Sequence, residues 1–373
     1  LKLCPFNMDC YRSWFSAPLG KQFNVSTSAC QKEVRSQEEE HLELDHIDVR
    51  TDTVWLEEGN HRSLENKNPN YEPTKHNGDD LKKPNGFPMN PDSREVILQA
   101  AAIDTQTPLQ IVQAATDAGV KKAALPAGQL VLRGVLSGLI LGIATSFAIC
   151  IWVQPFGKEL PVLGAVVFPV GFCMLVLLGL ELVTGNFALI PMAMYVRRVG
   201  LRDGARNFAL VTLGNLIGSL IYAFLFWANF SSFGADSESK VGAKAVAIAT
   251  AKTIAYQEKG VRGWLTALTK AVGCNWMVTM GVLMNFTSKS TCGRIVAMWL
   301  PVMVFFAHGY EHAVVNFFVI PAGMLFSADV NVVQWWFWNQ IPVIIGNFIG
   351  GCFLTGLPLA YAYPVETAVA RRA

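Results

Sequence analysis

Charge is scarce in this chain: Asp, Glu, Lys and Arg make up 16% of its 373 residues and balance to +2. The basic residues form no stripe, so nucleic acid gets no support as a partner. Eight cysteines are present, yet Cys4, Cys10, Cys30, Cys150, Cys173, Cys274, Cys292 and Cys352 never stand at CxxC spacing. Zinc ribbons and a disulfide framework thereby lose their sequence basis, and neither metal nor other cofactor is expected. Thiols in apolar runs are expected to pack as small hydrophobes. The first twenty residues do not read as the apolar stretch of a signal peptide, because Lys2, Asp9, Arg12 and Pro18 interrupt them. The chain starts at Leu1 and not at methionine, as a fragment or processed form would, and insertion is expected to rely on its first true span.

What is abundant is apolar. Hydrophobic residues make up 52% of the chain, its mean hydropathy is +0.33, and the apolar runs begin near residue 129. That composition describes a multi-pass membrane protein. Residues 1–93 are rich in Asn, Pro, Ser and charge, which predicts a largely disordered polar extension where Trp14, Phe15 and Trp55 are isolated aromatics. Asp92 or Ser93 can cap a short helix with Glu95 in its first turn, and a second follows Thr107-Pro108. Both are expected to lie as amphipathic helices on the inner membrane face.

Six runs reach the length a membrane crossing needs: 129–152, 161–196, 206–230, 263–287, 294–326 and 334–363. They place a channel-like domain over 94–363 and leave 364–373 as a cytoplasmic tail. The second and fifth runs exceed one straight crossing and carry polar interruptions, Glu181-Leu-Val-Thr184-Gly-Asn186 and His308-Gly-Tyr-Glu311-His312. Broken helices are expected there. Lys121, Lys122, Arg133, Arg197, Arg198, Arg202, Arg206, Lys289, Arg294, Arg371 and Arg372 fall on one side of six spans, which predicts cytoplasmic termini. The segment 231–262 breaks that pattern with Lys240, Lys244, Lys252, Lys259 and Arg262 on the other side.

The chain also repeats itself. "GLELVTGNFALIPMAM" from Gly179 and "GYEHAVVNFFVIPAGM" from Gly309 agree at an offset of 130, and "GNLIG" at Gly214 recurs as "GNFIG" at Gly346, offset 132. Two matches at nearly one spacing, each at the same place in a three-span half, indicate duplication. An odd number of spans per half makes the repeat inverted. The two breaks should then meet near the midplane, where unwound backbone is tolerated against protein or a water-filled cavity.

An ionisable group in the hydrocarbon core costs at least ~2.5 kcal/mol on insertion scales, so such groups pair or line a pathway. His312 is the most informative, because an imidazole with its ordinary pKa near 6.5 can exchange a proton close to neutrality. His308, one turn earlier, reads as an ordinary core histidine. Glu181 and Glu311 would repel an anion and are expected to accept hydrogen bonds from loop N–H groups or from Asn215 and Asn347. Thr184 sits in the break opposite His312 and could hydrogen-bond a substrate oxygen.

The segment Gly179–Asn186, "CNWMV" at Cys274, "GYEHAVVNFFVIPAG" and "GNFIGG" together resemble the formate/nitrite transporter family over about 95–363. The resemblance implies an all-α membrane fold with six transmembrane helices in an aquaporin-like inverted repeat with two broken helices, assembled as a homopentamer in lipid. It implies that His312 is the central pore histidine, Thr184 the loop threonine, Lys259 the basic residue that draws in anions, and Asn275 the asparagine beside the histidine. Phe168, Phe172, Phe305 and Val278 would fall at the apolar constrictions. The long polar extension departs from compact bacterial members.

The activity this implies is transport of a small monovalent anion, such as formate, nitrite or lactate, together with a proton. The membrane would be the plasma membrane or an organelle envelope. An aquaporin-like channel for water or a neutral solute is the alternative, but no Asn-Pro-Ala pair is present. An enzyme built on Glu311 and His312 is weaker, since adjacent helical residues diverge and no nucleophile accompanies them.

Overall fold

A computed structural model describes residues 104–365, apart from 237. The extension with Trp14, Phe15 and Trp55, the helix expected after Asp92 or Ser93, and the tail beyond 365 lie outside the described residues. Among the described residues all regular structure is helical except one isolated bridge between Thr105 and Ser288. The helices are α1 (Pro108–Ala123), α2 (Ala127–Val153), α3 (Val162–Leu177), α4 (Val183–Tyr195) and α5 (Leu201–Phe230), then α6 (Lys240–Lys252), α7 (Val261–Met284), α8 (Thr291–Ala307), α9 (Ala313–Leu325) and α10 (Val332–Ala362). Short turns Pro155–Glu159 and Ile254–Gln257 lie between them. Helices α2, α5 and α10 are each long and apolar enough to cross a membrane, and α3, α8 and α9 are shorter apolar helices. This is an all-α membrane fold.

The long second and fifth runs do divide, into α3 and α4 and into α8 and α9, with non-helical backbone over 178–182 and 308–312. The cause is local. Gly179 and Gly309 take φ of +64° and +61°, the left-handed conformation that glycine adopts without steric cost. The N–H of Leu180 then bonds back to the Leu175 carbonyl at 2.9 Å, and that of Tyr310 to Phe305 at 3.3 Å. After each stop the chain is extended at Leu182 and His312, and a new helix begins.

Helix α1 starts on a capping box, with Thr107 and Gln110 exchanging side-chain to backbone hydrogen bonds. Its apolar face is packed on protein, since a Cβ at Gly119 would lie 2.1 Å from the Leu189 carbonyl of α4. The segment before it is tied by Asp104, whose carboxylate accepts from Ser288 Oγ at 2.6 Å and from the N–H groups of Lys289 and Ser290. Those bonds, Ser288 foremost, hold the Asp104 carboxyl below the usual range.

Small residues let two helix pairs close up. A Cβ at Gly218 would lie 2.0 Å from the Val135 carbonyl, joining α5 to α2, and one at Gly350 would lie 2.3 Å from the Val272 carbonyl, joining α10 to α7. Gly218→Leu is expected to cost about 1–3 kcal/mol or more through overpacking. Thermal unfolding in detergent measures it, and an unchanged midpoint would contradict the close approach.

Candidate functional site

Two hydrogen-bond networks surround the breaks, and they match position for position. Lys122 Nζ bonds Glu181 and Lys252 Nζ bonds Glu311, both at 2.8 Å. Asn186 donates to Glu181 and to Asn207, as Asn316 donates to Glu311 and to Asn339. Asn207 and Asn339 donate in turn to the carbonyls of Lys122 and Lys252. Glu311 gains two further donors, the Tyr256 hydroxyl at 2.8 Å and the Asn339 amide at 3.2 Å. These carboxylates are 1–2% exposed, and a buried charge persists when it is both paired and hydrogen-bonded.

Asn215 and Asn347 act on the backbone instead. Each accepts the first helical N–H after its break, from Val183 and Ala313, and donates to the carbonyl of Glu181 or Glu311. Each also donates to the helix beside it, at Gly134 and Ala271. The sequence placed both asparagines beside the glutamates but aimed them at the carboxylates. Lysine and a different asparagine pair occupy those carboxylates, and the unwound backbone supplies the groups that still need partners.

The breaks meet at Thr184 and His312. Thr184 Oγ1 and His312 Nε2 are 3.0 Å apart, and His312 Nδ1 accepts the Val315 N–H at 3.2 Å. The Nδ1 lone pair is thus engaged, which leaves the proton of the neutral ring on Nε2, donated to Thr184. The threonine hydroxyl keeps its own proton for another acceptor. Asn275 donates to the Thr184 carbonyl at 3.1 Å and to that of Asn347 at 2.6 Å, and its buried Oδ1 has no partner among the described residues.

Apolar walls flank this centre. Phe305 stacks on the His312 ring at 5.8 Å and meets Phe168 edge-on at 5.7 Å. Phe168, Phe172, Phe305 and Val278 are all buried. A cavity of about 110 Å³ lies on one side, lined by Lys252, Phe305, Gly309, Tyr310, His312 and Val315. Another of about 190 Å³ is lined by Lys122, Phe172, Gly179, Leu180, Leu182 and Gly185. Five pairs of these lining residues stand 130 apart, and one of them puts Leu182 on one side in the place His312 takes on the other. Only one half of the repeat carries the imidazole.

The sequence reading brought His312, Thr184, Asn275 and the four apolar residues to one place. Thr184, His312, Asn275, Phe305 and Phe168 are linked by direct contacts, Phe172 lines the second cavity, and Val278 is buried on α7 near Asn275. Lys259 is not with them: it sits exposed beyond the turn Ile254–Gln257, and Lys252 lines the cavity instead. His308 is exposed, its Nδ1 bonded to the Val304 carbonyl. Lys122 and Lys252 were legible only as charges, yet they stand at the repeat's own offset of 130. That spacing was the signal for both.

The profile described as Formate/nitrite transporter matches residues 109–361. The chain belongs to the formate/nitrite transporter family. Among relatives, the uncharacterized transporter YrhG of Bacillus subtilis is 36% identical over 261 residues, which are 69% of this chain and 93% of that protein. The formate channel BtFdhC of Bacillus thuringiensis is 31% identical over 266 residues, 69% of this chain and 95% of that one. A solved pentameric formate channel with formate bound superposes with a TM-score of 0.53 at 26% identity, covering 64% of this chain and 97% of that one. The formate/nitrite transporter match thus spans the helices that hold both breaks and both cavities. These relatives carry the names of transporters and channels, and as a family member this chain is a multi-pass membrane protein.

Proposed function

We infer that this chain is a channel for small monovalent weak-acid anions, formate or nitrite foremost and lactate or hydrosulfide as similar candidates, which cross together with a proton. It would do so as a homopentamer of six-span protomers, each an inverted repeat over about 94–363 behind a polar extension. The matched networks at the two breaks support the repeat, and the bound pentameric relative supports the substrate class and assembly. Basic residues in alternate loops support cytoplasmic termini with the Lys252 side outside, in the plasma membrane or an organelle envelope.

One observation carries the reading: the Thr184–His312 hydrogen bond, between apolar walls, where the two breaks meet. An anion entering from the Lys252 side leaves water as it passes Phe305, and a bare charge is costly there. The neutral acid crosses instead. His312 is poorly placed to supply the proton itself, because an imidazolium would put N–H groups at both ring nitrogens and set one against the Val315 N–H. Water in the vestibule protonates the anion, the Thr184 hydroxyl and the His312 N–H then bind its oxygens in transit, and water on the far side takes the proton back. The account is tested by formate and nitrite uptake into proteoliposomes holding the purified full chain. Uptake well above protein-free vesicles, faster at lower external pH, is expected. Water flux without formate or nitrite uptake would favour the aquaporin-like alternative.

A further inference from the structure

Lys122 and Lys252 each hold a carboxylate at 2.8 Å, so neither projects much net charge toward solvent. The cavity beside His312 shares Trp152, Phe306 and Gly309 with a larger recess of about 600 Å³, which is lined by two further cations, Lys158 and Lys244. Lys244, two turns before Lys252 on α6, holds its ammonium 5.5 Å from the centroid of the Trp152 ring. Among the described residues no carboxylate lies within 4.0 Å of it. An indole face holds a cation through its quadrupole and leaves the charge uncancelled, whereas a carboxylate would neutralise it.

The indole is fixed in place by three neighbours. Its Nε1 donates to the Pro161 carbonyl at 2.8 Å, and its ring stacks on Phe306 at 5.6 Å. Gly164 leaves it room, because a Cβ there would lie 2.4 Å from Nε1. Trp152 and Phe306 line both the recess and the cavity beside His312. Phe306 stacks in turn on Phe168 at 3.9 Å. The held cation therefore stands where the recess narrows toward the apolar constriction.

We propose that Lys244, held over Trp152, is an anion-binding station at the outer mouth, taking a small monovalent oxyanion before it reaches Lys252. It supplies the uncancelled charge that the paired lysines lack. The anion's onward passage rests on the transport reading above; the station does not.

Iodide, a monovalent anion that quenches tryptophan, probes the station directly, with neutral acrylamide as the control. The Trp152 contribution is the difference between the full chain and its Trp152→Phe variant. At about 0.01 M ionic strength, where the Debye length is about 30 Å, iodide should quench that component several-fold more strongly in the natural chain than in Lys244→Gln. Lys244→Arg should retain the effect, acrylamide should quench all forms alike, and the difference should vanish near 1 M salt, where the Debye length is about 3 Å. Equal iodide quenching with and without Lys244 at low ionic strength overturns the station. In uptake assays Lys244→Gln should raise the half-saturating formate concentration about fivefold at low ionic strength and converge on the natural chain at high salt. An unchanged value removes the station from transport. Vesicles that take up no formate while the iodide difference persists would overturn the transport reading and support the station.

Discussion

His312→Asn is expected to lower proton-coupled formate uptake by roughly a hundredfold or more, to the level of abolition, while the protein still folds. Asparagine is itself a good helix cap and can still accept the Val315 N–H at the start of α9, so the local fold keeps its first hydrogen bond. Its side chain is too short to reach Thr184 as the Nε2 atom does at 3.0 Å. The buried threonine hydroxyl, and any substrate oxygen in transit, then lose a partner between apolar walls. An unsatisfied buried group costs about 1–3 kcal/mol, and two such losses, about 2–6 kcal/mol together, bracket the roughly 2.7 kcal/mol that corresponds to about a hundredfold in rate. Uptake by proteoliposomes measures it, with circular dichroism and gel filtration as the folding control. Undiminished, still pH-dependent uptake in this variant would remove His312 from the mechanism.

Lys252→Met is expected to be the most destabilising single change near the site, by about 3–5 kcal/mol, because it leaves Glu311 as a buried uncompensated carboxylate. Glu311 is 2% exposed and would retain Tyr256, Asn316 and Asn339 as donors, none of which carries charge. Adding Glu311→Gln should recover much of the loss, since the amide oxygen can still accept hydrogen bonds and the buried charge is gone. Thermal unfolding of the single and double variants decides it. Equal midpoints would show that the charge of Glu311 is not what Lys252 balances. The same order is expected for Lys122 and Glu181, whose pair has the same 2.8 Å geometry.

The broken helices were readable because the polar interruptions and the glycines that stop α3 and α8 are local signals. So was the meeting of Thr184 with His312, since the repeat implies which interrupted segments face each other. The ion pairs were harder to read: Lys252 and Glu311 are 59 residues apart, and which nearby lysine reaches the carboxylate depends on where α6 ends. The family resemblance pointed to Lys259 as the basic residue, and the turn over 253–260, closed by Gly260 at φ +56°, carries that residue to the exposed surface. Applying the repeat offset to Lys122 would have selected Lys252. Nothing local marked Trp152, whose seat is assembled from Pro161, Gly164 and Phe306 and so exists only after folding.

The central claim is that the substrate crosses this pore as a neutral acid, and internal pH recorded during inward formate flux tests it most directly. Proteoliposomes carrying the full chain should acidify inside as formate enters, faster at lower external pH and with no dependence on an imposed membrane potential. Internal alkalinisation, with uptake driven by a positive-inside potential, would mean that the bare anion passes and would contradict the account.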